Sequence, residues 1–269
     1  MTTDAMTAQR TMWALGDYHA VSEVLAGFGP DLVRACGITA GQRVLDVAAG
    51  TGNVAVPAAA TGARVVASDL TPELLEVGRR VAAERGLDLE WVEADAQSLP
   101  FADDEFDVVT SAVGVIFAPD HRAVADELVR VCRPGGLIGM INWPPEGFVS
   151  EFFAVFARYQ PPPPGAASPL LWGTEEHVAE LFGDRVESLQ VSRHALTVDQ
   201  FTEPAQLCAF YKRTFGPTIS TYAATAHDPD RVAALDRDFL DFAVRTDRGR
   251  PGGPARYEYD YVRVVARVR

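Results

Sequence analysis

The chain has 269 residues, 48% of them hydrophobic, enough for one sizeable core or one domain with a large insertion. Its 37 Asp and Glu outweigh 24 Lys and Arg, and the formal net charge of -13 repels a phosphate backbone, so no nucleic-acid partner is expected. Cys36, Cys132 and Cys208 lie far apart without a C-x-x-C pair, the longest apolar run is broken by Thr110, Ser111 and Gly114, and the N-terminus has no apolar signal segment. A cytoplasmic protein with reduced thiols and no membrane partner is expected.

Residues 1–40 read as a broken helical cap, punctuated at Gly29-Pro30. From Gly41 the chain alternates. Short β-branched runs at Arg43–Val47, Arg64–Asp69, Leu89–Asp95, Phe106–Val113 and Gly136–Trp143 are apolar on both faces, as parallel strands covered on both sides must be. Between the second and third, Thr71 and Pro72 open a helix whose Leu74, Leu75, Val77, Val81 and Ala82 form one stripe, and Gly86 suits its left-handed end. Asp120 caps another helix, facing Val124, Leu128 and Val131 inward until Arg133-Pro134-Gly135-Gly136 ends it. Such alternation implies right-handed crossovers and a doubly wound, mostly parallel α/β sheet. After Trp143 the rhythm changes. A strand is expected near Arg185–His194, helix over Phe201–Val244, and a closing strand at Tyr257–Val268, making seven. Residues 41–145 are thus the ligand-binding core, and 146–269 hold helical insertions, read as a lid, plus the last two strands. The run Pro161–Pro164 reads as a stiff spacer in preference to a partner motif.

Ligands of open parallel sheets bind beyond the carboxyl ends of the strands, near the reversal of strand order. There the chain reads VLDVAAGTGN, Val44–Asn53. A dinucleotide pattern G-x-G-x-x-G fails on either placement, at Ala48 and Asn53 or at Ala55, and no Walker loop exists. Acids do recur at strand ends: Asp46, Asp69 and Asp95. An acid after the second strand suits ribose hydroxyls. A further carboxylate beside the glycines disfavours a pyrophosphate and favours a ligand carrying ammonium and sulfonium groups, which points to S-adenosylmethionine (SAM).

Taken together, VLDVAAGTGN, VVASDLTPELL, EADAQSLPFADDEFDVV and LVRVCRPGGLIGMINW, in that order from Gly41 to Trp143, resemble the class I SAM-dependent methyltransferases. The branch they are most similar to is that of the ubiquinone/menaquinone-biosynthesis enzymes. The resemblance implies a Rossmann-like methyltransferase fold. Gly50, Thr51 and Gly52 would approach the amino-acid end of the cofactor, with Asp46 supporting that loop. Asp69 would hold the ribose hydroxyls, Leu70 would flank the adenine, Asp95 would take its amino group, and the Ala96 N–H a ring nitrogen. Two positions depart from the pattern: Ala48 stands where relatives often carry glycine, and Ala112 where some use a serine to touch the cofactor.

The expected activity is methyl transfer by in-line displacement to a small aromatic or otherwise apolar acceptor. Two alternatives keep the fold: a protein that binds SAM without moving its methyl group, and a nicotinamide oxidoreductase. No metal is expected, because the five histidines lack H-x-x-x-H or H-E-x-x-H spacing. His19 is the candidate base, His177 a lesser one, and His121, just after a helix cap, is expected to be exposed. Trp143, Phe152, Phe156 and Tyr211 are candidates to line the acceptor pocket, with core packing as the competing role.

Overall fold

The computed structural model describes residues 3–163 and 165–269; Met1, Thr2 and Pro164, the last residue of the proline run, lie outside the described residues. Strands β1 (Arg43–Val47), β2 (Arg64–Asp69), β3 (Glu90–Glu93), β4 (Phe106–Ala112), β5 (Cys132–Asn142), β6 (Val186–Val198) and β7 (Tyr257–Val268) form one sheet in the order β3-β2-β1-β4-β5-β7-β6. The first five pair in parallel, and β7 runs antiparallel to β5. In chain order the helices are α1 (Thr3–Trp13), α2 (Tyr18–Val24), α3 (Phe28–Ala35), α4 (Ala55–Ala59), α5 (Pro72–Glu84), α6 (His121–Val131), α7 (Phe148–Ala157), α8 (Glu175–Phe182), α9 (Pro204–Thr214), α10 (Gly216–Thr225) and α11 (Pro229–Thr246). The expected seven-stranded, mostly parallel α/β sheet is the one observed. Among the described residues no helix is long and apolar enough to cross a membrane.

The chain divides into two compact units. One comprises Leu25–Trp143, Ala167–His194 and Tyr261–Arg269, and holds most of the sheet. In it the strand order moves outward from β1 to β2 and β3, then restarts on the other side of β1 with β4, so the reversal lies between β1 and β4. Right-handed crossovers then place α4 and α5 on one face and α6 on the other. Val44, Leu45 and Val109 are wholly buried between these layers, each worth about 1.5–3 kcal/mol of transfer free energy. Helix α5 buries Leu74, Leu75, Gly78 and Ala82, and Gly86 follows it at φ 68°. Gly29 and Pro30, expected as a break, instead form the first turn of α3. Proline tolerates that position because its missing N–H is unpaired there anyway. A side chain at Gly29 would meet the Asn53 carbonyl 2.0 Å away, so glycine lets α3 close onto the turn after β1.

The other unit comprises the residues to Val24, Pro144–Ala166 and Ala195–Asp260. Its interior is aromatic. Phe152 of α7 lies 4.8 Å from Phe156, 5.2 Å from Tyr211 and 5.6 Å from Phe239, centroid to centroid. The helix expected over Phe201–Val244 is three helices. Pro217 and Pro229 cannot continue a helix from before them, and Asp228 restarts it by accepting the N–H groups of Asp230 and Arg231. Strand bounds also differ, β6 running on to Val198 where an end near His194 was expected. β5 begins at Cys132, paired with Phe106, so Arg133–Gly136 lies inside the strand at a register shift and is no free turn. β3 stops at Glu93, and Asp95 forms an isolated bridge with Ser98.

Candidate cofactor site

β1 delivers Asp46 into the sheet's interior, where it is 1% exposed. The Ala55 N–H, at the start of α4, donates to its Oδ2 at 2.9 Å, and the Thr110 hydroxyl of β4 donates to its Oδ1 at 2.9 Å. Burial pushes the carboxyl up to about 7, the two donors restrain that rise, and the nearby Asp69 charge adds to it. Asp46 therefore ties β4, β1 and α4 together. The sequence reading took Thr110 only as a break in an apolar run, although it and Ser111 are polar residues inside the buried strand β4.

After Val47 the chain turns three times through left-handed backbone, at Ala48 (φ 53°), Gly50 (φ 56°) and Gly52 (φ 88°). Ala48, the departure from the family pattern, adopts the left-handed conformation all the same, at a cost of about 1–2 kcal/mol that glycine would not bear.

Asp69 closes the loop from the side. The Gly50 N–H donates to its Oδ2 and the Thr71 N–H to its Oδ1, each at 2.8 Å. Burial raises its pKa, against the pull of those N–H groups. Thr71, the residue before α5, gives its N–H to Asp69, and its hydroxyl does not cap the helix. Further backbone bonds join the strand tips: Ala49 N–H to the Ser68 carbonyl and Ala94 N–H to the Asp69 carbonyl, each 2.9 Å. Asp46, the glycines and Asp69 are thus one bonded assembly. Two N–H groups occupy only part of the Asp69 carboxylate's acceptor capacity, so it can still accept hydroxyls.

Asp95 and Ala96 follow β3, both half-buried. The Asp95 carboxylate accepts from the Gln97 N–H at 2.9 Å and from the Gln97 amide nitrogen at 2.9 and 3.1 Å. Gln97 in turn accepts the Asp120 N–H at 3.1 Å, ahead of α6. Gln97 was not singled out from sequence, since a glutamine in a loop carries no periodic signal. Leu70 and Ala112, at the ends of β2 and β4, are also half-buried.

The remaining candidates lie on other elements. Phe152, Phe156 and Tyr211 belong to the aromatic interior of the helical unit, where the Tyr211 hydroxyl lies 2.9 Å from that of Tyr259. His19 lies on α2 of the same unit, with the Ser22 hydroxyl donating to its carbonyl at 2.8 Å. Trp143, at the end of β5, packs on Phe28 with ring centroids 5.5 Å apart. His121 is not exposed: it is 5% accessible, paired with His177 at 3.0 Å and set against Trp172. The turn carrying Trp172 folds over the start of α6, which the helix cap alone did not reveal. Burial, with His177 second, depresses the His121 imidazole to about 4. Among the described residues no three His, Cys, Asp or Glu side chains are placed to hold a metal ion.

Comparison with known proteins bears on the fold and the domain. A family model described as a methyltransferase domain matches residues 44–136. An uncharacterized protein of Mycobacterium tuberculosis is 51% identical over 242 residues, 88% of this chain and 87% of its own length. A demethylmenaquinone methyltransferase of Clavibacter sepedonicus is 44% identical over 128 residues, 46% of this chain and 51% of its own. The crystal structure of the YcgJ protein from Bacillus subtilis has the same fold, with a TM-score of 0.60 at 20% identity over 88% of this chain and 96% of that one. Residues 44–136 are a methyltransferase domain, and the chain has the class I SAM-dependent methyltransferase fold, with SAM as its cofactor.

Proposed function

We propose that this chain methylates a small aromatic or otherwise apolar acceptor, and that the bonded assembly at the tips of β1, β2 and β3 is where it holds SAM. The observation that carries the placement is the Gly50 N–H, which donates to the Asp69 carboxylate at 2.8 Å. A pyrophosphate needs free loop amides; here that amide is committed, and two buried acids stand beside the loop. Such a site suits a ligand bearing positive charge and ribose hydroxyls, and it disfavours a nicotinamide dinucleotide.

Bound SAM supplies an electrophilic methyl group on a sulfonium. The chain's own part is positional. Asp69 accepts the ribose hydroxyls, Gly50–Gly52 admit the amino-acid end, and Asp46 fixes the loop from below. Leu70 would flank the adenine, Asp95 and the Ala96 N–H would meet its polar edge, and Ala112, where some relatives carry serine, would give the cofactor no polar contact. Holding donor and acceptor in line in a dry site provides much of the rate, and an acidic phenol or enol needs no strong base. His19 is kept as the candidate base for a less acidic hydroxyl. A ring acceptor is supported by the demethylmenaquinone methyltransferase relative. We place the protein in the cytoplasm, a reading supported by three buried free thiols whose ionisation burial opposes.

Calorimetric titration with S-adenosylhomocysteine (SAH) tests the site. Asp69→Ala should weaken binding by about 1.5–3 kcal/mol, the worth of hydrogen bonds to an ionised partner. Unchanged affinity would remove Asp69 from the site. SAM-dependent release of SAH across phenols, naphthohydroquinones and aliphatic acids then tests the acceptor class; turnover confined to the acids would refute it.

A further inference from the structure

The indole of Trp91 is wedged under the cofactor loop. Trp91 stands on β3 in register with Ala67 of β2, which is itself in register with Asp46 of β1. Because Ala67 is small, the ring reaches across β2 toward the turn after β1. A side-chain carbon built on Gly52 would lie 2.8 Å from Trp91 Cη2, and one built on Gly78 of α5 would lie 2.4 Å from both Cη2 and Cζ3. The same position on Gly78 is 3.2 Å from the Thr51 carbonyl carbon. Loop, helix and indole therefore meet at one point, where Gly52, Ala67 and Gly78 together make room for a single large ring.

We infer that Trp91 is a positioning residue for SAM: its ring is the surface on which Thr51 and Gly52 rest. This rests on the assignment of the loop to the cofactor made above. Left-handed glycine backbone has many accessible conformations, and ordering it opposes binding. The indole removes that freedom before the ligand arrives, so the loop is preorganised. In this reading Gly52 is small for two reasons, its φ of 88° and the ring beneath it.

The test compares Trp91→Leu, Trp91→Phe and Asp69→Ala, each checked for folding by circular dichroism and titrated with SAH. Trp91→Leu should weaken SAH binding about tenfold, equivalent to about 1.4 kcal/mol. Trp91→Phe, which keeps a ring in the wedge, should restore affinity to within about threefold. Hydrogen exchange should quicken in Trp91→Leu at the Gly52 amide, which donates to the Ala49 carbonyl at 2.9 Å, and stay slow in β4. The inference is overturned if Trp91→Leu binds SAH like the parent protein while Asp69→Ala has lost affinity. If Asp69→Ala also binds normally, the loop is not the cofactor site and both readings fall.

Discussion

Asp46→Asn turns the most deeply buried acid of the site into a measurable pH effect. In the folded protein burial holds this carboxyl at about 7, against an ordinary aspartate value of 3.8. Between those two pH values the folded chain keeps a proton that the unfolded chain has released. Stability is therefore full below pH 3.8 and declines as pH rises through 7. A shift of that size corresponds to about 4 kcal/mol at 1.36 kcal/mol per unit. Asparagine removes the titration and can keep both contacts. Its carbonyl oxygen accepts the Ala55 N–H, while its amide nitrogen donates to Thr110. The Thr110 hydroxyl can then turn to the Leu45 carbonyl, 3.4 Å away. Urea unfolding from pH 4 to 8 should show the variant gaining on the parent by up to about 4 kcal/mol across this window. Subtracting the two curves removes the titrations that Asp46 does not touch and leaves Asp46 together with its coupling to Asp69. Asp69, shifted in the same direction, and Asp107 and Glu127, shifted downward, are common to both proteins. A difference flat to within about 0.5 kcal/mol would refute the argument, because Asp46 would then titrate alike in both states.

Gly78→Ala should cost about 1–3 kcal/mol in the parent protein by overpacking against Trp91, and most of that loss should vanish in the Trp91→Leu background, where alanine's helix preference works unopposed. Equal costs in both backgrounds, read from a double-mutant cycle of urea midpoints, would place the strain elsewhere. Asn142, at the end of β5, is wholly buried, and neither its amide nitrogen nor its oxygen has a bonding partner. Asn142→Leu should therefore raise stability by about 1–3 kcal/mol, since the desolvation penalty of the unpaired amide is removed. A fall in the thermal midpoint would show that the amide is paired in solution.

How much was legible in advance depends on the kind of signal. The apolar runs of β1, β2 and β4 were visible because a strand covered on both faces needs nearly every side chain apolar. α5 was visible through its Thr71-Pro72 start and its inward Leu74, Leu75 and Ala82. Ligand class was legible too, since the acids at 46, 69 and 95 and the glycines at 50 and 52 are local patterns. What stayed hidden was who holds whom. The Asp69 contact to Gly50 spans 19 residues, that of Thr110 to Asp46 spans 64, and that of His121 to His177 spans 56. His121 illustrates the limit: its helix position suggested exposure, and a turn from fifty residues downstream buried it. Phe152 and Tyr211 show the same, since helical spacing makes a face apolar without naming what covers it.

By itself, then, the sequence determined the order of strands and helices, the acidic and glycine-rich strand ends, and hence a charged adenosine cofactor. Periodicity, caps and backbone freedom act over a few residues, and a linear reading captures them. Only the tertiary structure decided that Asp69 anchors the loop, that burial raises the Asp46 carboxyl beneath it to about 7, and that Trp91 fills the space left by Gly52, Ala67 and Gly78. Those outcomes depend on the strand order of the sheet and on desolvation by neighbours far along the chain, and neither is a property of any short stretch of it.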